Sequence, residues 1–376
     1  MCVPTPRTPS RTDDVISLPA GLRAHLATLF PGARVTSARA LGPDAHPSES
    51  ETEKQIGYGR PLRITLALAG GTTRDVVMHT ASADEYGHDR RADRLGAQVL
   101  CLDTFHLVPE HVRAIDAGAL RDDGTLVSLR GTGGGYLLTE WAEGELYAGD
   151  LRRIAREGTL TSRDVERAEV LARYLAALHS ERGSSPAAYS RAIRDLVGHG
   201  EGIAGIADAY PDDAPGAPRA RVDAIERACL EWRFRLRSHT ERLRRTHGDF
   251  HPFNLLFEGP RLRVLDASRG CEGDPADDLA ALTINHLFFG LEHKERWAGG
   301  LGRLWSRTWE LYLAESGDRG VLDVMAPFFA WRGLVVASPR WYPHLRAEDR
   351  DRILRFVERV LAAERFDPAM GLEALE

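Results

Sequence analysis

The spacing of apolar residues divides the chain into a strand-rich first third and a longer helical remainder. Residues 16–30 carry apolar side chains at helical spacing and predict a short helix. The stretches 33–41, 60–70 and 73–81 are rich in residues that favour strands, and two glycines separate the last two stretches. We therefore expect these three segments to form an antiparallel meander.

Helical and strand-like patterns alternate up to about residue 145, after which helices dominate. Helical periodicity covers residues 83–105, and residues 124–144 predict a strand, a glycine turn and a second strand. A long amphipathic helix is expected over residues 162–181, with Ser162 as its N-cap and Glu166 in its first turn.

This order of elements predicts an α+β protein with two lobes. We expect a disordered leader over residues 1–14, which are rich in Pro, Thr, Ser and Arg. A hinge over residues 140–144 should join a β-rich N-lobe (15–139) to a mainly helical C-lobe (145–376). A chain of 376 residues with 43% hydrophobic residues is long enough to build two such cores.

Charge and cysteine content narrow the function classes. A formal net charge of -6 argues against nucleic acid as the main partner, because phosphate backbones bind clustered Lys and Arg. The four cysteines are far apart and form no C-x-x-C pair, which predicts a cytoplasmic protein with neither a disulfide framework nor a zinc ribbon. No apolar run reaches the roughly 18 residues that span a bilayer, so we expect no membrane partner.

Residues 246–280, THGDFHPFNLLFEGPRLRVLDASRGCEGDPADDLA, concentrate acidic and imidazole side chains around one predicted hairpin. Two short apolar runs flank the turn EGPR, so the hairpin should return Asp266 to the neighbourhood of Asn254 and Asp249. Oxygen ligands of this kind suit Mg²⁺, which bridges substrate phosphates. Asp249 has the chemistry to orient an attacking hydroxyl and accept its proton, while the other two hold the metal.

An alternative assigns the same residues to a zinc hydrolase. His247, Asp249 and His251 alternate along an extended segment as H-x-D-x-H, a spacing that places three metal ligands on one face. This alternative leaves Asn254 without a role, and no further cluster of ligand residues follows. Asp277 is expected to face solvent.

The run HGDFHPFN, from His247 to Asn254, resembles the H-x-D-x-x-x-x-N catalytic loop of kinases in the form found in the aminoglycoside phosphotransferase and choline kinase branch of small-molecule kinases. The segment from Val264 to Ala280 is similar to that branch's metal-binding aspartate followed by GDPxxDLA. The resemblance implies a two-lobed protein-kinase-like fold that binds ATP (or GTP) with Mg²⁺. It also implies transfer of the γ-phosphoryl group to a hydroxyl of a small molecule, aminoglycoside-like or another metabolite.

The resemblance implies roles for single residues. Asp249 is the catalytic base, and Asn254 and Asp266 are the metal ligands. His247 and Asp278 support the loop, with the His247 ring bonded either to backbone near Asp266 or to Asp278. The run YLLTEWAEGE, residues 136–145, is similar to a kinase hinge, in which the main chain of Glu140 and Ala142 contacts the adenine.

One departure from the family pattern concerns the lysine of the third strand. Aligning DVVMHT on the kinase pattern V-A-I-K places Val77 over the adenine and His79 at the lysine position. Lys54 is the one lysine of the N-lobe and precedes IGYG, whose Gly57 and Gly59 occupy the place of a phosphate-binding loop. A missing lysine is also a feature of a catalytically degenerate nucleotide-binding pseudokinase with a regulatory role, whereas the retained acidic residues favour an active enzyme.

Overall fold

The computed structural model describes residues 17–41, 61–84, 86–267 and 269–375. The chain forms two compact units, Met1–Leu138 and Thr139–Glu376. The α+β class expected from the sequence is confirmed, because the first unit is built around small antiparallel sheets and the second is mainly helical.

In the first unit, a helix packs with a three-stranded antiparallel sheet. Its elements are α1 (Ala20–Leu29), β1 (Arg34–Ala40), β2 (Leu62–Ala67), β3 (Thr73–Met78), α2 (Arg91–Thr104), a 3-10 helix (Phe105–Leu107), β4 (Gly118–Leu120) and β5 (Leu126–Ser128). The strand order β1-β2-β3 confirms the predicted meander. Ile64 and Leu66 alternate along β2 and belong to one buried cluster with Leu22 and Leu26 of α1, as a sheet with one covered face requires.

In the first unit, the helix predicted over residues 83–105 forms but starts later than expected, and one predicted strand is absent from the described residues. Helix α2 begins only at Arg91, because the side chain of Asp84 accepts a hydrogen bond from Tyr86 N at 2.8 Å, a local turn that competes with helix formation. The strand expected after the glycine run does not form, and residues 132–143 have no regular structure. Three consecutive glycines in this segment offer no side chains to pack against a neighbouring strand.

The second unit is dominated by helices with short strands between them. Its helices are α3 (Tyr147–Glu157), α4 (Ser162–Ser180), α5 (Pro186–Gly198), α6 (Ile203–Asp208), α7 (Arg219–Leu236), α8 (Pro275–Gly290), α9 (Leu301–Ser316), α10 (Met325–Ala337), α11 (Ala347–Ala362) and α12 (Ala369–Leu372), with 3-10 helices at Thr240–Arg242, Leu291–Arg296 and Arg319–Asp323. Its strands are β6 (Glu145–Leu146), β7 (Arg244–Arg245), β8 (Leu255–Glu258), β9 (Arg261–Val264) and β10 (Glu272–Gly273).

The core of the second unit is rich in aromatic rings from α9, α10 and α11. Phe329 of α10 is fully buried and lies with its ring centre 6.0 Å from that of Trp305 and 4.9 Å from that of Phe366. Truncating a ring packed in this way typically costs about 3–5 kcal/mol, so α10 is firmly anchored. None of the helices in the described part of the chain is long and apolar enough to cross a bilayer.

Helix α4 begins where expected, but its cap lies one residue earlier than predicted. Thr161, not Ser162, is the N-cap, and its side chain accepts from the backbone N–H of Asp164 while the Asp164 carboxylate accepts from Thr161 N at 2.7 Å. This reciprocal pair is a capping box, so the acidic residue three positions after the cap is Asp164 and not Glu166.

Candidate active site

Two short antiparallel pairs hold the polar segments together. The loop from Thr246 to Asn254 runs between β7 and β8, and the segment 265–271 runs between β9 and β10. Strand β8 pairs with β9 and β7 pairs with β10, so each segment is fixed at both ends. Leu265 N donates to Asn254 O at 2.9 Å, which continues the hairpin register by one residue. The predicted hairpin is confirmed, and Asp266 follows directly after the residue opposite Asn254.

Asn254 and Asp266 keep oxygen atoms free at this end of the hairpin. Asn254 is buried, and its side-chain Nδ2 donates to Asp249 O at 3.1 Å, which leaves its Oδ1 available. Asp266 is exposed and has a φ of 55°, in the left-handed region where a residue other than glycine is strained. Among the described residues its carboxylate has no hydrogen-bond or ion-pair partner. Mg²⁺ commonly binds one or two protein oxygens together with phosphates and waters, and this pair of donors fits that requirement.

The zinc alternative finds no support in the geometry. The His247 ring is turned toward its own loop, where Nδ1 accepts a hydrogen bond from Asp249 N at 3.3 Å. The Asp249 carboxylate is engaged by the guanidinium of Arg332. Over the ranges that the structure describes, no three His, Cys, Asp or Glu side chains gather as a metal site.

Asp249 is a partly buried carboxylate with positive charge beside it. Its Oδ1 accepts from Arg332 Nη1 at 2.5 Å, and His251 Nε2 lies 3.6 Å from Oδ2. Burial acts to raise the pKa of Asp249, but the guanidinium groups of Arg332 and Arg269 outweigh burial and hold this pKa below its ordinary value. The carboxylate is therefore ionised at neutral pH and able to accept a proton.

His251 is a neutral hydrogen-bond donor next to Asp249. Burial lowers the pKa of His251, and although the Asp249 charge opposes this, the imidazole stays neutral at pH 7. Its Nδ1 accepts a hydrogen bond from Phe253 N at 3.2 Å, which assigns the ring proton to Nε2. The Nε2–H group is the one that lies near Asp249.

Asp278 fastens the loop to helix α8. Its carboxylate is fully buried and accepts from His247 N and from Gly248 N, each at 2.8 Å. Because a carboxylate only accepts, His179 Nε2 donates to it at 3.1 Å, and the hydroxyl of Tyr312 donates to His179 Nδ1 at 2.9 Å. The expectation for the His247 ring is corrected here: its main-chain N–H, not its ring, bonds Asp278.

Gly248 allows the loop to turn at this point. Its φ of 79° lies in the left-handed region, and an added Cβ would stand 3.2 Å from Gly270 O. A larger residue would be strained and would also press on the segment that follows Asp266. The glycine thus allows the loop to leave the β7–β10 pair and still place its N–H groups against the carboxylate of Asp278.

Helix α8 is itself fixed by a buried ion network at its first turn. Asp274 is the N-cap and accepts from Ala276 N at 3.1 Å, while Arg242 donates to both of its carboxylate oxygens at 2.8 and 2.9 Å. Arg242 also bonds Asp318, and Tyr189 OH donates to Asp274 at 3.2 Å. This network determines where the carboxylates of the first helical turn lie relative to the loop.

Sequence reasoning missed Arg332 and misplaced Asp277. Asp277 was expected in solvent, yet its carboxylate accepts from Arg332 Nη2 at 2.6 Å. Arg332 is 6% exposed and stands in the apolar helix α10, MAPFFAWRGLVVA. A single arginine inside such an apolar run is the signal that indicates a buried ion pair, because an unpaired buried charge is too costly.

Asp277 gives the site a pH-dependent stability. Burial raises its pKa to about 6, against the opposing charge of Arg332. As pH rises, the unfolded chain therefore loses the proton of Asp277 before the folded protein does. The protonated carboxyl group stabilises the folded state in acid, and this contribution is lost as pH rises to about 6. Relative to Asp277→Asn, the wild-type free energy of unfolding should fall by about 2 kcal/mol between about pH 4 and pH 7.

Urea unfolding of both proteins across this range measures the difference. Asp213→Asn, at an exposed aspartate in the loop before α7, is the control for an Asp-to-Asn change outside the site. A difference between wild type and Asp277→Asn that stays constant with pH would contradict the prediction.

Of the residues proposed for the nucleotide, some belong to other segments of the chain and the rest lie outside its described part. Outside the described residues are Lys54, Gly57 and Gly59. In the first unit, His79 follows the last residue of β3 and is exposed. In the second unit, Glu140 and Ala142 belong to the irregular segment that precedes β6. Their assignment to a nucleotide site remains a prediction.

Solved structures similar to this chain include small-molecule kinases. A glucosamine kinase in complex with glucosamine, ADP and inorganic phosphate is 19% identical, with 56% of this chain and 58% of that chain covered and a TM-score of 0.39. A Plasmodium vivax ethanolamine kinase is 10% identical over 87% of this chain and 82% of its own, with a TM-score of 0.34. A choline kinase from Cryptosporidium parvum Iowa II is 11% identical over 94% and 92%, with a TM-score of 0.29. The chain spans less than two thirds of the glucosamine kinase.

The amino-acid sequence was also compared with curated proteins and with models of protein families. No curated protein matches the chain significantly. The family model of the phosphotransferase enzyme family matches residues 104–314, which is more than half of the chain and includes the loop, the hairpin and the first turns of α8. The chain belongs to the phosphotransferase enzyme family.

Proposed function

We propose that the protein is an ATP-dependent kinase that moves the γ-phosphoryl group to a hydroxyl of a small molecule. One observation carries this proposal: an ionised Asp249 lies in the same loop as Asn254, beside a hairpin that presents Asp266, and both ligand candidates keep oxygens free. Membership in the phosphotransferase family supports it. A small-molecule acceptor and a cytoplasmic location are parts of the same proposal.

Asp249 is the residue we assign to the acceptor. Its carboxylate accepts a hydrogen bond from the attacking hydroxyl, orients the oxygen and takes the proton as the new P–O bond forms. The neutral His251 holds its proton on Nε2, which lies 3.6 Å from Asp249 Oδ2, so the imidazole does not compete for the acceptor's proton. The low pKa of Asp249 keeps the base ionised over the whole neutral range.

Asn254 and Asp266 are the residues we assign to the metal. When bound, Mg²⁺ neutralises charge on the nucleotide phosphates. The chain contributes Asn254 Oδ1, which stays free because Nδ2 bonds the loop backbone, and the carboxylate of Asp266, which has no partner among the described residues. The nucleotide itself is assigned to residues of the N-lobe and hinge, namely Lys54, Gly57, Gly59, His79, Glu140 and Ala142.

Asp266→Asn tests the metal assignment. Asparagine tolerates the left-handed backbone at this position, so the substitution removes the charge without disturbing the turn. We expect Mg²⁺-nucleotide affinity to fall on the order of tenfold or more, while nucleotide affinity without Mg²⁺ is unchanged. Binding of a fluorescent ATP analogue across a Mg²⁺ titration measures both quantities.

Glu258→Gln is the matched control, because it removes an exposed carboxylate from the other end of the same hairpin. Its Mg²⁺ dependence should equal that of the wild type. Equal Mg²⁺ dependence in Asp266→Asn would remove Asp266 from the metal site.

An acceptor screen tests the activity directly. The purified protein, ATP and Mg²⁺ are incubated with aminoglycosides, glucosamine, ethanolamine, choline and other hydroxyl-bearing metabolites, and ADP release is measured. Release that depends on one compound and disappears in Asp249→Asn identifies the acceptor. The amount of phosphorylated product, followed by mass spectrometry, should match the ADP formed.

A nucleotide-binding pseudokinase is the second candidate, because strand β3 contains no lysine. In that case the protein binds ATP, but ADP release in the screen never exceeds the Asp249→Asn background. The two candidates therefore differ in turnover and not in binding.

A further inference from the structure

We propose that Arg332 of helix α10 is a positioning residue that orients the Asp249 carboxylate, so that one chosen oxygen faces the acceptor hydroxyl. This inference rests on the proposed function, because it concerns how the assigned base is held. It adds a residue from outside the catalytic loop, 83 positions further along the chain than Asp249.

The guanidinium of Arg332 contacts three groups around the base. Nη1 donates to Asp249 Oδ1 at 2.5 Å, and Nη2 donates to Gly248 O at 2.8 Å and to Asp277 Oδ1 at 2.6 Å. The planar fork of arginine fixes these directions relative to one another, which the single ammonium of lysine cannot do. One side chain thus ties together the loop backbone, the base and helix α8.

Arg332 is held in place by its own helix. Its guanidinium carbon lies 3.9 Å from the ring centre of Trp331, and Trp331 Nε1 donates to Glu201 O at 2.8 Å. On the segment that follows Asp266, the guanidinium of Arg269 lies 4.6 Å from the same ring centre. The indole therefore supports both guanidinium groups that act on Asp249, and α10 is anchored in the aromatic core described above.

This arrangement gives the two oxygens of Asp249 different roles. In the part of the chain that the structure describes, Oδ1 is occupied by Arg332, whereas Oδ2 has only His251 Nε2 near it, at 3.6 Å. Oδ2 is therefore the oxygen that receives the acceptor hydroxyl. Without the guanidinium, the carboxylate is free to rotate, and a displacement of about 1 Å at a reacting group costs on the order of 10²-fold in rate.

Asp277 is the second carboxylate that pairs with the guanidinium of Arg332. Burial acts to lower the pKa of Arg332, but Asp277 and Asp249 outweigh it and keep the guanidinium charged. With a second carboxylate on the same guanidinium, the positive charge is balanced even when Asp249 takes up the acceptor's proton. Arg332 can then keep its position through the reaction cycle.

A kinetic comparison of Arg332→Ala with wild type tests the proposal. We expect kcat to fall on the order of 10²-fold, while the KM values for nucleotide and acceptor change by no more than about threefold, because only orientation of the base is lost. Arg332→Lys keeps the charge without the fork and should retain an intermediate kcat. Methylguanidinium added to Arg332→Ala should restore part of kcat by occupying the vacated space.

Arg350→Ala is the matched control for a purely structural role. Arg350 is also buried and bonds the end of the same helix through Ala337 O at 2.7 Å, and its other hydrogen bonds in the described part of the chain go to Pro215 O and Leu345 O, outside the loop. It should lower the melting temperature with kcat near wild type and show no response to methylguanidinium. If Arg332→Ala fails to fold, Arg332→Lys and the double variant Arg332→Lys, Asp249→Asn carry the test, since the lysine should reduce kcat only when Asp249 is present.

The outcomes separate the inference from the function on which it rests. Active wild type, inactive Asp249→Asn and folded Arg332 variants with wild-type kcat would overturn the inference and leave the proposed function standing. Loss of kcat without rescue, and of the same size in the Asp249→Asn background, would also overturn it by revealing a structural role. A wild type that is inactive with every acceptor would remove the proposed function and this inference together.

Discussion

Asp249→Asn is expected to abolish phosphoryl transfer while nucleotide binding remains. General-base catalysis contributes about 10²–10⁴-fold, and the asparagine amide cannot take up the acceptor's proton, so we expect kcat to fall by at least about 10³-fold. The substitution is close to neutral for the fold, because the amide oxygen still accepts from Arg332 Nη1 and Asp277 still balances the guanidinium charge. The backbone contacts of the loop, including Asn254 Nδ2 to Asp249 O, are untouched.

Two measurements on the same preparation separate chemistry from binding. ADP release with the acceptor identified in the screen gives kcat, and equilibrium titration with a fluorescent ATP analogue in Mg²⁺ gives the dissociation constant. Asp213→Asn removes an exposed aspartate and should keep both values. Turnover by Asp249→Asn within about tenfold of wild type would exclude Asp249 as the base.

Local patterns in the sequence were enough to predict the meander and the hairpin. In β2, the alternation of Ile64 and Leu66 already marks one buried face, and the turn EGPR between two apolar runs fixes the return of Asp266. These features depend on residues that are close in the chain. The return of Asp266 to the neighbourhood of Asn254 could therefore be predicted without knowing how the helices pack.

Contacts that join distant segments were not predictable in the same way. Asp277 and Asp278 are adjacent on α8 and point in different directions. Asp277, which the sequence predicts in solvent, instead meets Arg332 of a helix from much later in the chain. His179 lies 99 residues before the aspartate that it bonds. Which polar residue pairs with which depends on how the helices pack, and hydrophobic spacing alone does not determine this.

The failed strand after the glycine run has a different physical cause. Its apolar residues, Tyr136, Leu137 and Leu138, fit a strand by composition, but a strand also needs a partner with which to form hydrogen bonds. Within the described ranges, strand β5 pairs with β4 and with no other strand. The short strands β6, β7 and β10 are the opposite case. Two residues are too few to produce a periodic pattern in the sequence, yet they are enough to form hydrogen bonds with a neighbouring strand.

Asp278→Ala is expected to be the most destabilising single change around the loop. It leaves the main-chain N–H groups of His247 and Gly248, and Nε2–H of His179, without an acceptor in a fully buried place. Each unsatisfied buried donor costs about 1–3 kcal/mol, so we expect the free energy of unfolding to fall by about 4 kcal/mol. That is a large part of the roughly 5–15 kcal/mol that stabilises a typical domain.

A graded series of variants distinguishes this network from general sensitivity of the core. Tyr312→Phe removes a single hydrogen bond, from its hydroxyl to His179 Nδ1, and should cost only about 1 kcal/mol. Asp278→Asn keeps one acceptor oxygen and should fall between the two. Urea unfolding gives the free energies, and a loss in Asp278→Ala no larger than that in Tyr312→Phe would contradict the assignment. Because the same donors set the direction of the loop, kcat should fall in the same order as stability.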